Sequence, residues 1–110
     1  MKPQPHNHKK EYLTKLAGLI DNVIAASDDF ENARGKLASK LSSGQKIEDQ
    51  EVKDMLAKKV VATEKHLYVV ACVLNHKHCC SDRERADIGE ALAYGYRHLK
   101  DLLSSYSRNI

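Results

Sequence analysis

Cys72, His76, His78, Cys79 and Cys80 crowd one stretch, LYVVACVLNHKHCCSD, and together carry the residue types that zinc prefers. Thiolate sulfur and neutral imidazole nitrogen are good donors to a tetrahedral zinc ion. On a helix, Cys72 and His76 would lie four residues apart on one face, with His78 and the cysteine pair in the turn beyond. The spacing weakens the case. Structural zinc sites take two ligands separated by two to four residues from each of two distant segments, and no second pair of that kind stands elsewhere. His98, or His6 and His8, would have to complete the set. The simpler expectation is that Cys72 fills a core position and "NHKHCC" is a polar turn between helices. A zinc-binding or redox-responsive regulator built on Cys72, His76, His78, Cys79 and Cys80 is the alternative.

Other chemistry is scarce. The chain has no HExxH or ExxH metal motif, no GxSxG elbow, no phosphate loop and no dinucleotide fingerprint. No pair of carboxylates is spaced to compel acid–base catalysis, so the chain reads as a non-enzyme with no cofactor unless the zinc alternative holds.

What must position these residues follows from size and pattern. A chain of 110 residues and 12.4 kDa fits one domain. Its 42% hydrophobic and 30% charged residues belong to a folded chain with a well-hydrated surface. The longest apolar run, Leu67–Leu74, is far shorter than the roughly 20 residues of a membrane span. The polar N-terminus lacks the apolar stretch of a secretory signal, and three cysteines make no disulfide framework, so a cytoplasmic protein with reduced thiols is expected.

Residues 1–9, with both prolines, read as a flexible arm, and residues 10–110 as a single helical domain. Leu13, Leu16, Ile20, Val23 and Ile24 recur at helical steps, followed by Phe30, Ala33, Leu37 and Leu41. Asp28 and Glu31 have capping-box spacing, which permits a break near Ser27–Asp29, and Gly44 is a natural helix stop. A second helix, from Ile47 to about Asn75, has no Gly or Pro and carries Val52, Leu56, Val60, Leu67, Val70 and Leu74. Ser81 and Glu84 open a last helix to about Ser107, with Ile88, Leu92, Tyr96, Leu99, Leu103 and Tyr106 on its inner face. Short connections make neighbouring helices antiparallel. The expected fold is all-α, an antiparallel bundle of three long helices, or four if the first one breaks.

Leu67–Leu74 is apolar all the way round the helix, so something must cover two faces. Part of it is expected to be an interface with another protein or a second copy of the chain. Leu67, Val69, Val70, Val73 and Leu74 form the candidate surface, with Tyr94 and Tyr96 supplying apolar area with a polar handle. The function expected is thus non-enzymatic protein binding or regulation, in the manner of an adaptor, chaperone, anti-activator or immunity protein. Nucleic-acid binding is a second alternative. The net charge of +3 is spread over Lys9, Lys10 and Lys15, Lys58, Lys59 and Lys65, and Arg83, Arg85, Arg97 and Lys100. Acids stand near each group, a pattern typical of solvated helix faces.

Overall fold

The computed structural model describes residues 5–75 and 80–108, and within them only helices occur. The order is α1 (Pro5–Ser42), α2 (Asp49–Asn75), α3 (Asp82–Tyr94) and α4 (Tyr96–Arg108). The all-α bundle is thus the fold, and Leu67–Leu74 is helical.

The four helices arise differently from the expected break. α1 runs through Ser27–Asp29 without interruption for 38 residues. Asp28 and Asp29 are drawn into pairs with other helices, with Arg97 at 3.3 Å and Lys58 at 2.9 Å, instead of capping a new helix. The break falls in the last helix, at Gly95, whose φ of 138° and ψ of 163° lie in a region essentially reserved for glycine. α1 also begins earlier than the pattern from Lys10 indicates. A proline at the first helical position has no N–H to leave unpaired, and Lys9 is tied to Glu84 at the start of α3 at 2.5 Å.

Local signals explain the other boundaries. Gly44 adopts φ 73° while Gln45 N–H donates to the Lys40 carbonyl and Gly44 N–H to that of Leu41, which closes α1 in a Schellman turn. Ser81 and Glu84 form the anticipated capping box, each side chain accepting from the other's backbone N–H at 3.2 and 3.1 Å.

α1 is the spine. It packs against α2 along one side and α4 along another, while α3 folds back on α4. Interhelical ion pairs mark the register. Lys40 pairs with Glu51 and Asp29 with Lys58, which sets α2 antiparallel to α1. Asp21 with Lys100 at 2.7 Å and Asp28 with Arg97 do the same for α4. The core lies toward the N-terminal half of α1, where Tyr12, Leu13, Leu16, Ile20 and Val23 meet Val69 and Cys72, Ile88 and Ala91, and Leu99 and Leu103. The distal part of the α1–α2 hairpin extends beyond it, giving a rod of 64 × 22 × 19 Å.

The Lys9–Glu84 pair links stability to pH. Partial burial pushes the Glu84 carboxyl up, but hydrogen bonds from Lys9 and from the Ser81 backbone and hydroxyl outweigh it and hold the group below its ordinary 4.5. A carboxyl with a lowered folded value stabilises the fold above the ordinary value, and the contribution is lost as pH falls through the lowered one. Stability should therefore decline on acidification below about pH 4.5, and Glu84→Gln should flatten that decline. Denaturant unfolding at a series of pH values reads both, and parallel curves for the two proteins would contradict the assignment.

Candidate interaction surface

The two faces of α2 are both apolar, and the core takes only one. Ala62, Val69 and Cys72 are buried, with Met55, His66 and Val73 half-buried beside them. The stripe most visible in the sequence lies on the other side. Leu56, Val60, Leu67 and Leu74 remain 53, 64, 59 and 66% exposed, with Val52 at the margin and Val70 half-buried. From Val52 to Leu74 this stripe runs about 33 Å along the helix. Its exposure follows from the architecture. Among the described residues α1 is the one helix that packs extensively against α2, and one helix neighbour covers one face.

The residues expected at an interface therefore divide. Leu67 and Leu74 are exposed on the outer face, and Val70 is at its edge. Val69 is completely buried and presents no surface, and Val73 is half-buried with its packed side against the core. Tyr94 is exposed at the end of α3, its ring 5.5 Å from that of His98. Tyr96 turns inward, with His66 edge-on to its ring at 5.7 Å, and helps to line a cleft of about 240 Å³ between the helices. The two tyrosines are thus separated by the Gly95 break and have different roles.

Val52, Leu56 and Val60 extend the surface beyond the residues that the apolar run alone identifies. Their signal is present in the sequence as spacing: 56, 60, 63, 67, 70 and 74 advance by alternating steps of four and three. The one polar residue in that series, Thr63, has its hydroxyl satisfied within the helix, donating to the Lys59 carbonyl at 2.9 Å, and it borders the cleft that His66 and Tyr96 line. Glu64, on one flank of the stripe, accepts a hydrogen bond from the Tyr68 hydroxyl at 2.8 Å, and this bond raises the Tyr68 ionisation above its ordinary value. Lys59, on the other flank, lies 5.0 Å from the centre of the Phe30 ring.

Of the cysteine and histidine cluster, His76, His78 and Cys79 lie outside the described residues. Cys72 is buried, and Cys80 is half-buried against the same core. Among the described residues no three metal-ligating side chains converge, and no helix is long and apolar enough to cross a membrane. Several of the basic residues are matched by carboxylates: Lys9 by Glu84, Lys58 by Asp29, Lys100 by Asp21, Arg97 by Asp28 and Arg85 by Asp82.

The chain matches no family model, no curated protein and no solved structure.

Proposed function

We propose that this protein is a non-catalytic binding protein that acts by burying the outer face of α2 against another protein surface. The observation that carries the reading is the continuous exposed stripe Leu56, Val60, Leu67 and Leu74 on the side of α2 turned away from the core. Single exposed apolar residues are ordinary, but a contiguous row of them on a helix marks a site of association. A helix face of this form is recognised by a complementary groove or by another helix, with anchors at regular turns and charged flanks setting orientation. Adaptor, chaperone or regulatory roles all use this physical device, and the reading places the protein in the cytoplasm, where its cysteines stay reduced.

A photo-crosslinking amino acid at position 67, compared with one at Lys36 on the exposed polar side of α1, tests the reading. In intact cells a discrete protein adduct should form from position 67 and not from position 36. No adduct at 67, or equal labelling at both positions, would remove the surface from consideration.

A further inference from the structure

We infer that the occupant of this face is a second copy of the chain, docked with its α2 parallel to the first in a two-stranded coiled-coil seam. The inference rests on the reading of α2 as an interaction surface and adds the partner, the direction and the register.

The outer face has the repeat that two helices need in order to pack along their length. Val60, Leu67 and Leu74 take one seam position of successive heptads, and Leu56, Thr63 and Val70 the other. All six are exposed except half-buried Val70. Lys53, one heptad before Val60, closes the seam at its N-terminal end. A two-fold axis parallel to α2 would bring each of these residues onto its own counterpart, so one patch serves both subunits. Ala57 and Ala71, both exposed, border the seam on the Glu64 side, and their small side chains let a second helix approach.

Charge decides the direction. Lys59 and Glu64 flank the seam on opposite sides, five residues apart. In a parallel two-stranded coil the residue just before one seam position faces, across the interface, the residue five further along the partner. Lys59 of each copy then meets Glu64 of the other, and two-fold symmetry makes the pair twice. The antiparallel register that stacks Leu56 on Leu74, Val60 on Val70 and Thr63 on Leu67 centres the two helices near position 65. It sets Glu64 against the partner's Glu64, a like-charge contact. Lys53 also meets its own counterpart in the parallel arrangement, but at the solvent-exposed end of the seam, whereas the two Lys59–Glu64 pairs lie at its middle and favour the parallel direction.

Sedimentation equilibrium on the full chain under reducing conditions, over a concentration series, tests this. The wild type should form a dimer, and Leu67→Glu should be monomeric while keeping its helical circular dichroism, because Leu67 lies outside the core. Lys59→Glu and Glu64→Lys should each raise the dissociation constant roughly tenfold by turning two attractive contacts into repulsive ones, and the double exchange should restore it. A double variant no tighter than either single one would overturn the parallel pairing. A wild-type monomer at every concentration would overturn self-association altogether. Crosslinking from position 67 to a different protein would then preserve the binding surface, and no crosslink would end both readings.

Discussion

Leu16→Ala should lower the free energy of unfolding by about 2–5 kcal/mol, the loss expected when a large side chain leaves a closely packed site. Leu16 is fully buried on α1, within the cluster that also holds Leu13, Ile20, Val69, Ile88, Leu99 and Leu103. These residues come from all four helices, so a cavity there loosens the contact of each with the spine. A fold of this size has roughly 5–15 kcal/mol of stability to lose. Urea unfolding at fixed protein concentration would measure the change, since any self-association adds a concentration-dependent term. Leu56→Ala serves as the control. Its side chain is 53% exposed, so the monomer should lose little, and any large loss should vanish on dilution. A Leu16→Ala effect below about 1 kcal/mol would contradict the core described above.

Gly95→Ala should destabilise the protein by about 1–3 kcal/mol, the usual cost of holding a side-chain-bearing residue in a glycine-only region. The origin is the backbone and not crowding, because a Cβ added at Gly95 would meet nothing within 4 Å. The alternative open to the chain, continuing α3 into α4 as one straight helix, is worse. It would forgo the return of α4 along α1, where Arg97 and Lys100 reach Asp28 and Asp21. Gly89→Ala makes the opposite prediction within the same helix pair. Gly89 is exposed inside α3, and alanine there should raise stability by about 0.5–1 kcal/mol. Thermal unfolding should move the two midpoints in opposite directions by several degrees, at roughly 4–8 °C per kcal/mol for a domain of this size. Equal shifts for both variants would show that Gly95 is not the hinge on which α3 folds back.

The contrast between the two glycines shows where pattern stops being informative. Both stand inside one long apolar periodicity, Ile88, Leu92, Tyr96, Leu99, Leu103 and Tyr106, and the periodicity predicts which residues face the core. Ile88, Leu99 and Leu103 are buried, and Leu92, Tyr96 and Tyr106 pack beside them. Nothing in the spacing distinguishes a glycine tolerated within a helix from one at which the chain turns. That depends on whether α4 gains more by returning along α1, where Arg97 and Lys100 reach Asp28 and Asp21, than by running on into solvent.

The same limit applies to the candidate surface. The heptad steps along α2 are visible residue by residue, and so is the wholly apolar stretch Leu67–Leu74. Two apolar faces on one helix do not say which is turned inward. The stripe with the larger side chains, Leu56, Val60, Leu67 and Leu74, stays outside, while Ala62, Val69 and Cys72 face inward. Val69 consequently belongs to the interior, and Val73 lies half-buried beside it, despite standing within the apolar run.

The helical class, the stop at Gly44, the capping box at Ser81, the inner positions Leu13, Leu16, Ile20 and Val23 of α1 and those of the last helical segment were all legible in the chain's own pattern, whereas Leu41, in the same α1 periodicity, is 70% exposed. Each of these rests on interactions within a few residues, or on a periodicity that one helix expresses alone. That α1 continues past Asp28, that the chain reverses at Gly95, and that α2 shows its leucine stripe to solvent emerge from the packing of the helices on one another. Those outcomes depend on distant partners. Asp28 and Asp29 gain cations from α4 and α2, a helix turns back where a neighbour can bury its apolar face, and a helix with two apolar faces buries the one that fits the spine beside it.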